Sequence, residues 1–66
     1  MSTQVLIHCQ ESLTNSIKQL GLNVVNVDNN DGEITIQADN NDLDDQEFCE
    51  HLGLDYEQVN CVELAD

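Results

Sequence analysis

Carboxylates are the side chains of this sequence with the greatest capacity for chemistry, and most of them lie close together. One segment of twelve residues contains six acids: Asp39, Asp42, Asp44, Asp45, Glu47 and Glu50. A smaller group precedes it: Asp28, Asp31 and Glu33. Acids so closely spaced could bind a cation, act in acid–base catalysis or face a basic partner, and the remainder of the sequence distinguishes these uses.

The charge balance favours a basic protein partner. The 66 residues include 14 acids and a single Lys or Arg, Lys18, for a formal net charge of −13. The only charged residues within 1–27 are Glu11 and Lys18, so the negative charge belongs to residues 28–66. A chain with this charge repels phosphate groups, which argues against direct binding to DNA, RNA or an anionic membrane.

Helix stabilisation explains only part of the acidity. An acid near a helix N-terminus stabilises the helix by about 0.3–1 kcal/mol, which suits Asp44 and Asp45. It does not explain why residues 28–66 lack a balancing Lys, because soluble surfaces usually mix both signs. Adaptation to high salt is a rival explanation, but the two Ala and three Cys of this chain are not typical of it.

The spacing of the acids suggests imitation of a nucleic acid. Carboxylates at i,i+3 or i,i+4 on a helix lie about 5–6 Å apart, in a row comparable with the phosphates of duplex DNA. In size and composition the chain resembles the DNA-mimic inhibitors, many of them phage-encoded antagonists of bacterial defence nucleases. The resemblance implies an inhibitor of the anti-restriction or anti-CRISPR type that binds the basic groove of a DNA- or RNA-binding protein. The nine acids of the two groups would be its partner-binding residues.

A second hypothesis is an acidic protein–protein adaptor. Its affinity would come from an apolar patch around Leu54 and Tyr56, and its charge would only steer the encounter. A metal-buffering protein is a third and weaker hypothesis. Self-repulsion favours a monomer, although an apolar sheet surface could still pair two copies.

Metal, cofactor and catalytic sites are not expected. Asp28–Gly32 superficially resembles a calcium loop, but with Gly32 at loop position 6 the ligand positions 1 and 12 fall on Val27 and Ala38. Adjacent residues on a strand point to opposite faces, so His8 and Cys9 cannot easily share a zinc ion. A catalytic carboxyl needs an apolar pocket, for which 66 residues leave little room. The chain is therefore predicted not to be an enzyme.

The three cysteines favour a reducing compartment. Cys9, Cys49 and Cys61 are odd in number and widely spaced, which argues against a disulfide framework. Free thiols and a cytoplasmic location are predicted. Buried thiols and surface histidines are expected. No apolar run approaches the roughly 20 residues that span a bilayer.

Hydrophobic periodicity predicts the first half of the domain. A short β-branched run predicts a strand at residues 4–9. An apolar stripe of Leu13, Ile17 and Leu20 then predicts a helix that ends at Gly21. A strand over 22–28 should follow, with Val25 and Val27 on one face and Val24 on the other.

The Asp31–Gly32 pair predicts a hairpin turn into a strand over 33–38, whose inward residues are Ile34, Ile36 and Ala38. A polar loop is predicted over 39–42. The second helix should begin at Leu43 or Asp44 and end at Leu52, with a capping box of Asp44 and Glu47 and an apolar face of Phe48, Cys49 and Leu52.

Residues 56–64 leave two folds open. As a strand, the segment would place Val62 and Leu64 on one face and Val59 and Cys61 on the other. As a helix, it would be capped by Asp55. We therefore expect one α+β domain over 1–66, a small antiparallel sheet with two helices on one face. Its order would be the split βαβ, ferredoxin-like βαββαβ, or βαββα with a short C-terminal helix.

Overall fold

The computed structural model describes residues 3–65 and has the predicted α+β class, a four-stranded antiparallel sheet with two helices. The strands are β1 (Thr3–Gln10), β2 (Asn23–Asp28), β3 (Glu33–Asn40) and β4 (Val59–Leu64), and the helices are α1 (Thr14–Leu20) and α2 (Asp45–Leu52). Short 3₁₀ turns at Glu11–Leu13 and Tyr56–Gln58 precede α1 and β4. The last segment is thus mainly a strand, and the alternative of a terminal helix is wrong.

The sheet has the order β2-β3-β1-β4, with every neighbouring pair antiparallel. β1 lies inside the sheet and pairs with β3 along its whole length, from Thr3 opposite Asn40 to Gln10 opposite Glu33. β2 and β4 are the two edges. The residues of β1 alternate strictly, so Val5, Ile7 and Cys9 are buried while their neighbours face the other way.

Both helices pack on one face of the sheet. The core combines the inward residues of β1 and β3 with Leu13, Ile17, Phe48, Cys49 and Leu54. Ile7, Ile17, Ile36 and Phe48 are almost fully buried. The predicted apolar stripe of α1 is confirmed at Leu13 and Ile17, but Leu20, the last residue of the helix, is 44% exposed.

Glycine ends both helices as predicted. Gly21 and Gly53 follow the last helical residues with φ of 71° and 90°, in the left-handed region that glycine adopts without strain. Their N–H groups donate to carbonyls of the preceding turn.

Three predicted details around residues 39–47 are wrong. β3 continues to Asn40, so Asp39 lies in the strand and not in a loop. Helix α2 begins at Asp45. Asp44 is the N-cap residue, but its side chain makes no capping hydrogen bond and the predicted capping box does not form. The Asn40 side chain instead stabilises the turn before α2 with two hydrogen bonds. Its Nδ2 donates to the Leu43 carbonyl, and its Oδ1 accepts from the Leu43 N–H.

β-Bulges overturn the predicted faces of both edge strands. In β2 the register shifts between Val24 and Asn26, so Val24 and Val27 both lie opposite core residues of β3. In β4 the shift places Val59 opposite Cys9, on the core side, while Cys61 stays opposite His8 on the other face. Strict alternation fails here because each bulge inserts one unpaired residue.

The predicted β2–β3 hairpin is present. Its turn is residues 29–32, in which Gly32 has a φ of 66°. Asp28 Oδ1 accepts from the N–H groups of Asn30 and Asp31, and Glu11 N–H donates to the Gly32 carbonyl. Within residues 3–65, no helix is long and apolar enough to cross a membrane.

Candidate functional site

Three of the predicted binding acids form a row on the outer face of α2. Glu47 and Glu50 are exposed one turn apart on the helix, about 5–6 Å from each other, and Asp44 is exposed at the N-cap position just before it. We call these residues the α2 acidic row. The Asp44 side chain makes no capping hydrogen bond. Among residues 3–65, the only side-chain hydrogen bond to the row is from Gln46 Nε2 to Glu50 Oε1, at 3.4 Å.

Asp42 and Asp45 lie at the end of the sheet. They border a cleft between the start of α2 and the ends of β1 and β4, whose floor includes Val5, Val62 and Leu64. Asp42 has a φ of 66°, a left-handed conformation that Asp tolerates better than most residues. This turn carries the chain from β3 into α2 and leaves both carboxylates exposed.

Asp39 is not part of the same surface. It lies opposite Gln4 in the β1–β3 register, on the sheet face away from the helices. Its Oδ1 accepts a hydrogen bond from Gln4 Nε2, and Gln4 Oε1 accepts from Gln37 Nε2 at 3.0 Å. The structure therefore brings five of the six main acids to α2 and the loop before it, and separates Asp39 from them.

The second predicted group occupies the opposite end of β3. From Glu33 to Asp39 the strand advances six residues, about 20 Å. Asp31 is exposed in the turn. Asp28 accepts hydrogen bonds from two N–H groups of the turn through its Oδ1 atom. Glu33 is half-buried and bonded to Asn60 Nδ2. Only Asp31 of this group has no contact that holds it to the protein among the hydrogen bonds of residues 3–65.

A polar cluster that sequence reasoning missed lies on the sheet face away from the helices. His8 is expected above at the surface, but only 17% of its side chain is exposed. Its Nδ1 lies 2.9 Å from Thr35 Oγ1 and 3.3 Å from Glu33 Oε1, and its Nε2 lies 2.9 Å from Glu63 Oε1. The cluster forms because β1 pairs with both β3 and β4. The sequence alone does not reveal this pairing, so it contains no signal from which the cluster could be predicted.

The chemistry of the cluster is structural. A carboxylate only accepts hydrogen bonds, so Nε2 donates to Glu63. In the neutral ring Nδ1 accepts from the Thr35 hydroxyl, and in the protonated ring it donates toward Glu33. Thr35 is buried beneath these contacts, with 4% of its surface exposed. His8 thus holds β3 and β4 to β1 on a face that carries little apolar packing.

The acids of α2 receive no comparable compensation. Within residues 3–65, the only contacts between acidic and basic side chains at ion-pair distance are those of His8 with Glu33 and Glu63, and Lys18 belongs to neither. The α2 acidic row therefore presents its negative charge to solvent without an internal cation.

The cysteines divide into two kinds. Burial raises the pKa of Cys9 and Cys49 to about 11, with smaller contributions from nearby negative groups. Cys61 is exposed, so the expectation of three buried thiols is wrong for this residue. Partial desolvation, Glu63 and Glu33 together raise the pKa of Cys61 as well. Within the described part of the chain, no group of three or more His, Cys, Asp or Glu side chains could hold a metal ion.

Comparison with known proteins gives no relative from which a function could be transferred: no family model, curated protein or solved structure matches this chain.

Proposed function

We propose that this chain is an acidic mimic of nucleic acid that binds the basic groove of a DNA- or RNA-binding protein and excludes the natural ligand. It acts as a stoichiometric inhibitor and not as an enzyme, in the manner of phage anti-restriction or anti-CRISPR proteins. The observation that carries the proposal is the α2 acidic row, which is exposed and has no neutralising cation within residues 3–65.

The charge density of α2 supports this reading. Asp44, Asp45, Glu47 and Glu50 place four carboxylates along a helix that rises about 9 Å over those six steps. Duplex DNA carries about five phosphate charges over the same length of axis. Lys and Arg side chains that line a nucleic-acid groove would therefore meet a similar number of negative charges.

The proposed compartment is the cytoplasm, where such a target would be met. All three cysteines are free thiols, which a reducing compartment preserves. The strong negative charge would also accelerate the encounter with a basic target, to as much as roughly 10⁸–10⁹ M⁻¹s⁻¹ at low salt.

The first test is capture of the target from nuclease-treated lysate on immobilised protein, with elution over a salt gradient. We expect a nucleic-acid-binding protein that elutes at high salt and that added DNA or RNA displaces. A captured protein that is indifferent to nucleic acid would contradict the mimic.

The second test separates the position of the charge from its amount. Glu47→Lys with Glu50→Lys should abolish binding to the captured target. Glu11→Lys with Glu57→Lys changes the net charge equally, at exposed acids outside the proposed surface, and should weaken binding only slightly. Equal losses in the two double variants would show that the α2 acidic row is not the site.

The adaptor hypothesis survives in an altered form. Leu54 is 3% exposed and belongs to the core, so the patch suggested around Leu54 and Tyr56 is wrong. Three exposed valines lie together on β2, where Val24, Val25 and Val27 are 40%, 45% and 53% exposed. Leu20, Tyr56 and Leu64 are also exposed, on other elements. Binding through these valines would survive high salt, whereas binding by mimicry would weaken steeply.

A further inference from the structure

β2 leaves one side of its backbone unpaired. It is an edge strand whose only partner is β3, and it contains no buried residue. Val24 and Val27 lie opposite the core residues Ile36 and Ile34, yet both are substantially exposed. An exposed apolar edge of this kind is a template for pairing with another strand.

The segment that leads into β2 and forms most of it carries no charge. Residues 19–27 contain no charged side chain, in a chain with a net charge of −13. Lys18, the single Lys or Arg, precedes this stretch on α1, and Asp28 ends it. The stretch is therefore neutral, with one positive and one negative residue at its two ends.

We propose that the free edge of β2 is the interface between two copies of this chain, which pair antiparallel about a two-fold axis between Val25 and Asn26. In this register Val24 lies opposite Val27 of the second copy, and Asn23 lies opposite Asp28 of the second copy. The valines on the helix side of both edges become covered, and the two sheets join into one.

Charge selects the antiparallel arrangement. The antiparallel arrangement separates the two Asp28 residues by five residue steps, about 17 Å. This distance exceeds the screening length of about 8 Å at physiological ionic strength. Each Asp28 instead lies opposite Asn23 of the second copy, which carries no charge. A parallel pairing would place the two Asp28 carboxylates side by side.

The β-bulge at Val25 limits the strength of this interface. A bulge increases strand twist and interrupts regular hydrogen bonding, which is one way in which edge strands resist pairing. The pairing is therefore confined to six residues of each copy, and the dimer forms reversibly.

The dimer also joins acids that one chain keeps apart. Glu33 and Asp39 lie about 20 Å apart along one β3. In the proposed register Glu33 of one copy faces Gln37 of the second, three strand spacings away. Asp39 of the second copy is two residues further along its strand, about 16 Å from Glu33. If the proposed function holds, the paired molecule presents a longer acidic surface than the monomer. The interface itself does not depend on that function.

Sedimentation equilibrium over a range of protein and NaCl concentrations tests the proposal without any target. We expect a mass that rises with protein concentration toward twice the 7.4 kDa of one chain. The dissociation constant of the dimer should fall as NaCl is added, because salt screens the repulsion between the two negatively charged molecules. Binding to a basic target has the opposite salt dependence, so the two proposals fail independently.

Matched lysine variants locate the interface. Val27→Lys on β2 should keep the chain monomeric, whereas Leu64→Lys on the other edge, where Leu64 is 67% exposed, should dimerise like the unmodified chain. Both should keep the circular dichroism spectrum of the folded protein. In a mixed-label sample of the unmodified chain, NMR should show contacts between the methyl groups of Val24 and Val27 of different molecules. A monomer under all conditions, or equal effects of the two variants, would overturn the proposal.

Discussion

His8 joins the three strands β3, β1 and β4 through both nitrogens of its ring. Its neighbours Glu33 and Glu63 would repel each other across β1 without it. The contacts are partly exposed, so the cluster stabilises the sheet by hydrogen bonding to charged groups more than by burial.

Replacement of His8 should therefore weaken the fold. His8→Leu leaves Glu33, Glu63 and the buried Thr35 hydroxyl without their shared partner, and should lower the free energy of unfolding by about 1–2 kcal/mol. Urea denaturation measures this loss. His51→Leu is the matched control, since His51 is exposed on α2 and its replacement should change stability by no more than about 0.5 kcal/mol. Equal stability of the two variants would show that the cluster contributes nothing.

The thiols should differ in reactivity. Cys61 is exposed and should react with a thiol reagent in the native protein near neutral pH, although its raised pKa slows the reaction. Cys9 and Cys49 are buried, with pKa values of about 11, and should react only after unfolding. Mass spectrometry after timed labelling distinguishes the three. Fast native labelling of Cys9 or Cys49 would contradict the core described above.

The same pKa values give the sign of an alkaline effect. Unfolded thiols ionise near 9.0, but folded Cys9 and Cys49 resist ionisation until about 11. The contribution of these two thiols to the free energy of unfolding is therefore fully present below pH 9.0 and is lost as the pH rises toward 11. Urea midpoints measured across this interval should fall, and they should fall less in Cys49→Ala. A flat profile would indicate that neither thiol is buried.

At the scale of elements, α2 packs on the core through Phe48 and Cys49, and Phe48, at 1% exposed, is the larger of the two. Removal of this ring leaves a cavity in a small core. Phe48→Ala should cost about 3–5 kcal/mol, a large part of the roughly 3–10 kcal/mol expected for a domain of 66 residues. Urea denaturation followed by circular dichroism should show a midpoint far below that of the unmodified chain.

The second aromatic residue provides the control. Tyr56 is 37% exposed on the 3₁₀ turn before β4, so Tyr56→Ala should cost only about 1 kcal/mol. If both substitutions had the same small effect, α2 would not be held by Phe48, and the α2 acidic row would lack the rigid support that a mimic needs.

At the scale of the whole molecule, like-charge repulsion opposes folding. A net charge of −13 on 66 residues, without ion pairs to the single Lys within residues 3–65, should make stability depend on salt. The free energy of unfolding should rise as NaCl screens the carboxylates and should then level off. The Glu47→Lys, Glu50→Lys variant should show a shallower rise. Stability that does not change with salt would contradict this account.

Local signals in the sequence predict most of the elements. Alternation predicts β1 and the inward face of β3, the Asp31–Gly32 pair predicts the hairpin, and Gly21 and Gly53 mark the helix ends. These features depend on backbone geometry and burial within a few residues, so they can be recognised without the fold. The acidity of residues 28–66 and the exposure of Glu47 and Glu50 follow in the same way from composition and helical period.

Contacts between distant segments depend on the tertiary structure. The bulges that place Val27 opposite Ile34 and Val59 opposite Cys9 are set by strand register, and register is selected by packing across the whole sheet. For the same reason the sequence analysis predicted His8 at the surface. The pairing of β1 with β3 and β4 instead brings the carboxylates of Glu33 and Glu63 to the His8 ring. The separation of Asp39 from the α2 acidic row, and the exposure of the valines of β2, arise because the strand order makes β3 internal and β2 an edge.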